Sequence, residues 1–181
     1  MIYLGVISSF LMNLIPHLLV IKNKKFSLKD KPFSHLVNFK ESSLVFTMTI
    51  IITAIMRMIY FYFFINKLSL NNNLLIIFLI YLSLVSLLII GIVPVTKNEK
   101  LHVFFGYLIL FSCIVFLGYL HFFYNLHGSQ NLLIMGKVIA LLIIVGPIYL
   151  FVKYRQWGIG EVFFLLMTFI WDLYMLFGFL I

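Results

Sequence analysis

Negative charge is almost missing from this chain. Its 181 residues include five acids, Asp30, Glu41, Glu99, Glu161 and Asp172, against thirteen lysines and arginines. That scarcity excludes a carboxylate-bridged di-metal centre, which needs two Glu-x-x-His pairs and further acids; Glu99 and His102 make one such pair. Cysteine is scarcer still. Cys113 stands alone inside an apolar run, so no internal disulfide can form. A Gly-x-Ser-x-Gly elbow, a His-Glu-x-x-His zinc motif and a pair of aspartates within apolar runs are all absent. Ser34 is next to His35, but adjacent side chains point apart and do not make a dyad. No catalytic residue, metal site or cofactor is therefore expected. Charged residues of both signs make up only 10% of the chain and apolar ones 64%, more greasy surface than a soluble domain can present to water.

What the chain does have is long apolar runs. They extend over Ile2 to Ile21, Ser43 to Ile65, Leu74 to Val93, His102 to Tyr124, Asn131 to Val152 and Glu161 to Ile181. Each holds about 20 residues, enough at about 1.5 Å per residue to cross a hydrocarbon core of about 30 Å. Lipid offers no partner to an open backbone amide, so the spans must be helices. The sequence predicts an all-α, polytopic transmembrane bundle of six helices forming one domain over residues 1–181. The first run lacks a basic leader and a small-x-small cleavage site, and is expected to remain as helix one. Tyr60 to Phe64, Tyr119 with Phe122 to Tyr124, and Tyr154 with Trp157 fall near span ends, where aromatic belts form. Gly158 and Gly160 are expected to break the chain before the last helix, and Asn71 to Asn73 to form a turn.

The loops are strongly asymmetric. Lys22, Lys24, Lys25, Lys29, Lys31, Lys40, Lys97, Lys100, Lys153 and Arg155 fall on one side of a six-span layout, and Lys67 on the other. Positive charge favours the cytoplasm, which places the lysine-rich loops there and both termini outside. Lys22 to Lys31 is a polybasic stretch beside the membrane, suited to anionic lipid headgroups at about 1 kcal/mol per charge held near the surface. Membrane lipids, and possible protein partners within the membrane, are the expected partners; nucleic acid is not.

Inside the runs, polar and small residues recur at helical spacing. Gly5, Ser9, Asn13 and His17 step by four, as do Thr49, Thr53 and Arg57; His102, Gly106, Cys113 and His121 align on the fourth run, and Glu161, Thr168 and Asp172 on the sixth. Each helix thus has a polar face, with Asn13, His17, Thr53 and His121 expected in the bundle interior. Alternating helix directions bring Arg57, Lys137 and Asp172 to one level. A lone charge there costs at least about 2.5 to 3.5 kcal/mol, so an Arg57–Asp172 ion pair is expected, with Lys137 either in the cluster or snorkelling outward. Ser34, His35, Glu41, His102 and Glu161 belong to the lysine-rich side and form a candidate polar patch there, or serve as helix caps. His17 and His102 lie near that same face, where two histidines on different helices can ligate haem; satisfied or solvent-facing histidines are the commoner arrangement.

The ordered set Pro32, Ser34, Leu36, Glu41, Ser42, Phe46, Gly91, Pro94, His102, Phe111, Gly160, Glu161 and Trp171 resembles the domain-of-unknown-function 998 family of six-helix membrane proteins. More distantly it is similar to the Frag1, DRAM and Sfk1 group. The resemblance implies a six-helix bundle of unassigned activity, with the larger group linked to lipid and membrane organisation, and carries no catalytic residue onto this chain. Three functions fit these readings: a lipid-binding protein or membrane-complex subunit, a small transporter or channel gated at the Arg57 and Asp172 level, and an intramembrane lipid-modifying enzyme.

Overall fold

Helices form where the apolar runs lie, because a span in hydrocarbon must close every amide bond within itself. The computed structural model has α1 (Leu4–Lys22), α2 (Lys40–Lys67), α3 (Leu74–Ile92), α4 (Glu99–Gly118), α5 (Gln130–Tyr154) and α6 (Trp157–Met175). Single π-helical turns extend α4 through Tyr119–Phe123 and α6 through Leu176–Leu180. A short 3-10 helix, Phe33–Asn38, lies between α1 and α2. The structure describes residues 1–29, 31–124, 126–155 and 157–181, and no strand occurs among them. Among the described residues, six helical segments are long and apolar enough to cross a bilayer. The protein is a multi-pass, all-α membrane bundle.

Its outer surface is greasy, with Leu44, Leu74, Phe78 and Phe177 each more than 60% exposed. In lipid such exposure costs little, because acyl chains are as apolar as the side chains they meet. Around the bundle α1 packs on α2 and α6, α2 on α3, α3 on α4, and α5 on α6; α4 and α5 meet sparsely. That last seam closes at the end away from the lysines. Gly136 admits the His121 ring, whose Cε1 would lie 2.8 Å from an added Cβ, and the Tyr174 hydroxyl occupies the same gap.

The buried apolar residues form two cores. One surrounds Tyr60, Phe61, Phe64, Phe116 and Trp171, with Phe64 tilted and Phe116 edge-on against the indole at centroid distances of 5.9 and 5.8 Å. The other, at the lysine-rich end, joins Phe26, Phe33, Leu36 and Val37 of the first loop to Leu19, Phe46 and Ile50 of the helices and Val95 of the turn between α3 and α4. The first core corrects one expectation: Tyr60 and Phe64 do not sit in an interfacial belt but are 1% and 0% exposed. Gly5 makes room for this, since a Cβ there would lie 2.7 Å from the Tyr60 ring.

Gly158 and Gly160 are a second correction. They do not break the chain before the last helix but lie within α6, which starts four residues earlier than expected. Both permit close approach: a Cβ on Gly158 would run into the backbone oxygens of Leu28 and Lys31, and one on Gly160 would lie 3.2 Å from the Pro147 oxygen. The break falls at Arg155, in left-handed conformation at φ 52°. Asn73 does end the turn after α2, accepting from the Ile76 amide at 3.1 Å as the α3 cap.

Candidate functional site

Three helices bring polar groups together midway through the bundle. Arg57 of α2 donates through Nη2 to Asp172 Oδ2 of α6 at 2.6 Å and to Ser9 Oγ of α1 at 2.5 Å. Ser9 donates in turn to Asp172 Oδ2 and lies 3.0 Å from the Gly5 carbonyl. One helical turn on, Asn13 donates to the Ser9 carbonyl at 2.8 Å and across to the Leu165 carbonyl of α6 at 3.0 Å. The four-residue step on α1 therefore becomes a polar seam against α6. Asp172 is 1% exposed, and such a charge in apolar surroundings is held by its partners or not at all.

Lys137 does not join this cluster. It is exposed on α5 while Gly136, one position away and therefore about 100° around the helix, faces His121 and Tyr174. The cluster is thus one cation and one anion. Gly106 is partly buried, on the same face of α4 as His102 and Cys113, and a Cβ there would meet nothing within 4 Å.

A cavity of about 120 Å³ abuts the pair. Arg57, Ser9, Asn13 and Thr53 line one side of it, and Ile80, Leu84, Phe116, Leu117 and Ile143 make much of the rest. Thr53, 1% exposed, has an Oγ1 with no hydrogen-bond partner; Asp172 Oδ1 and the Tyr60 hydroxyl are buried and unpartnered too. Buried polar atoms are rarely left so, and three in one region mark a place where packing alone does not explain the residues.

His121, His17 and His102 each have a hydrogen-bond partner. Trp171 Nε1 donates to His121 Nε2 at 2.8 Å, which puts the His121 proton on Nδ1. His17 donates from Nδ1 to the Asn13 carbonyl at 2.6 Å and packs edge-on against Phe33. His102, buried, donates from Nδ1 to the Val93 carbonyl at 3.0 Å. Both rings spend Nδ1 on a backbone carbonyl, which leaves Nε2 as an acceptor on each.

At the lysine-rich end the candidate patch separates into parts. Glu161 Oε2 accepts from the Phe33 amide at 2.6 Å, so it caps the 3-10 helix and docks the first loop on α6. Asn23 donates to the Leu19 carbonyl at 2.7 Å and to Ser42 Oγ at 2.5 Å, tying the same loop to α1 and α2. Glu41 instead pairs with Lys22 on the surface at 3.2 Å. His35, half-buried beside Ser34, lies near Lys31, Glu99 and His102. Partial burial and then Lys31 hold its imidazole below the usual range, with Glu99 opposing and His102 adding. His35 lies near His102, and Glu161 reaches the same 3-10 helix at Phe33, whereas Glu41 is paired apart with Lys22.

Lys22, Lys24, Lys25, Lys29 and Lys31 are all exposed on the docked loop. Beside them a lateral groove of about 510 Å³ runs between the start of α2 and the end of α3. Lys40 and Lys97 stand in it together with Asn38, Ser43 and Thr47, and Leu44 and Ile92 continue it toward the hydrocarbon. The sequence reading missed this groove. Its lysines were visible as topology signals, but their meeting depends on where α2 begins, at Lys40 and not at Ser43.

Comparison with protein-family models, with curated proteins and with solved structures finds no match.

Proposed function

We propose that this protein is a nonenzymatic membrane bundle that binds anionic lipid at its lysine-rich end. The groove between α2 and α3 carries the reading: Lys40 and Lys97 stand at headgroup level, and exposed Leu44 and Ile92 lie alongside for acyl chains. Five further exposed lysines on the adjoining loop extend the positive surface. Membership of the domain-of-unknown-function 998 family, and kinship with the lipid-linked Frag1, DRAM and Sfk1 group, form part of the same proposal. So does an orientation with this end in the cytoplasm, where anionic lipids are enriched.

Other features favour binding over the alternatives. The Arg57–Asp172 pair is closed and the adjoining cavity is small and largely apolar, which suits an occupant better than a conducted ion. His102 and Glu161 engage separate backbone groups, the Val93 carbonyl and the Phe33 amide.

Lipid retained through purification in mild detergent, read by native mass spectrometry, tests the proposal. The full chain is expected to keep phosphatidylglycerol over phosphatidylcholine. At about 1 kcal/mol per surface charge, Lys40→Gln with Lys97→Gln weakens that preference by roughly 25-fold. Lys137→Gln, at the other end, leaves it unchanged. An undiminished preference in the double variant rejects the groove as the site.

A further inference from the structure

The cavity beside the ion pair is separate from the lysine-rich groove, and its lining specifies a ligand of its own. Its unspent hydrogen-bond donors can be identified. Ser112 and Thr168, both lining, give their protons to the Leu108 and Leu165 carbonyls at 2.7 and 2.8 Å. Ser83 pairs with Cys113. Thr53 Oγ1 has no partner although the residue is 1% exposed. Arg57 directs Nη2 to Ser9 and Asp172, and its guanidinium carries further N–H groups on Nη1 and Nε. The polar side of the cavity therefore offers donors from two residues on adjacent turns of α2.

Charge and size narrow the class. Asp172 already neutralises Arg57, and among the described residues no other ionised side chain lines the cavity, so a charged ligand would be buried without a counterion. The opposing wall of Ile80, Leu84, Phe116, Leu117 and Ile143 demands an apolar body. At about 120 Å³ the space approaches the roughly 150 Å³ cavity that holds benzene in another protein. We infer that this cavity binds a small uncharged molecule, or the ring of a larger one, bearing a carbonyl oxygen that accepts from Thr53 and Arg57. Ketones and quinone head groups are the matching chemistry.

Methyl NMR of the full chain in detergent micelles, with isoleucines labelled at Cδ1, tests this with cyclopentanone and cyclopentane as probes. Cyclopentanone is expected to shift the cavity-lining Ile80, Ile109 and Ile143 methyls saturably. One lost hydrogen-bond set makes cyclopentane bind about tenfold more weakly. Thr53→Val reduces that ratio to about threefold by removing one of the two donors. Ser83→Leu, which fills the cavity without touching the ion pair, abolishes the interior shifts; with the wild-type comparison it keeps the test decisive if Thr53→Val does not fold. Equal response to the two probes overturns the inference. So do shifts that rise without saturation at interior and lipid-facing isoleucines alike, Ile52, Ile55 and Ile148 being the exposed references.

Discussion

Among the described residues, one ion pair lies inside the bundle and another on its surface. Arg57 and Asp172 meet at 2.6 Å with side chains 17% and 0% exposed, whereas Lys22 and Glu41 meet at 3.2 Å with 59% and 75% exposed. The same chemistry does different work in the two places. The inner pair has Ser9 between its partners and sets how α1, α2 and α6 meet, because neither charge has an alternative to the other. Water can replace the outer pair at either atom, and the loop it borders is held by other means: Phe26, Phe33 and Leu36 buried among the helices, and Glu161 on the Phe33 amide. Order at the lysine-rich end comes from apolar plugging and caps, and Lys24, Lys25, Lys29 and Lys31 lie exposed on the surface.

Breaking the inner pair is the largest effect expected. Arg57→Gln strands a carboxylate and Asp172→Asn strands a guanidinium, each costing about 3 to 5 kcal/mol. The double variant has no stranded charge, so its loss should fall short of the sum of the singles by about 1 to 3 kcal/mol. Reversible unfolding in mixed micelles measures all three. Strict additivity would mean that the charges are not coupled and that the polar seam is incidental.

The next effect sharpens the contrast at the lysine-rich end. Gly158→Ala pushes a methyl into the carbonyls of Leu28 and Lys31, backbone atoms that cannot swing away. A loss of about 1 to 3 kcal/mol is expected, as for other overpacked contacts. Faster tryptic cleavage at Lys24, Lys25 and Lys29 should accompany it as the loop lifts from α6. Gly106→Ala is the matched control, since an added Cβ there meets nothing within 4 Å. It should leave both readouts unchanged or raise stability slightly through helix propensity. Equal effects at the two glycines would show that the loop is not docked through α6.

Much of the fold was legible from residue pattern, and the limits have identifiable causes. Span length and hydropathy located all six helices because the bilayer imposes both. The cost of a buried charge was enough to pair Arg57 with Asp172, since each needed a partner and Asp172 was the acid at that depth. Depth, however, says nothing of direction around a helix, and Lys137 at the right level faces outward. Glycine was ambiguous for a similar reason: a breaker and a contact point look alike in sequence, and only the approach of Leu28 and Lys31 assigns Gly158 to the second class. Ser9 carried a usable signal in its four-residue spacing from Gly5 and Asn13, though not its bridging role. Nothing in the sequence marked Phe26 and Phe33 as anchors of a folded loop, because two aromatics among lysines also suit an interfacial segment lying on lipid.

The smallest effect belongs to the outer pair. Glu41→Gln keeps shape and removes charge. With both side chains more than half exposed, water and salt already screen the contact, so a change within about 0.5 kcal/mol is expected. Glu41 also lies in the first turn of α2, where its charge favours the helix dipole, and that contribution falls within the same small range. The informative readout is therefore lipid binding at low and high salt. Removing an acid one residue from Lys40 should raise retention of phosphatidylglycerol, more at low salt than at high. A loss of several kcal/mol would instead make the surface pair equivalent to the buried one, and the division between a tightly paired interior and an exposed basic face would not hold.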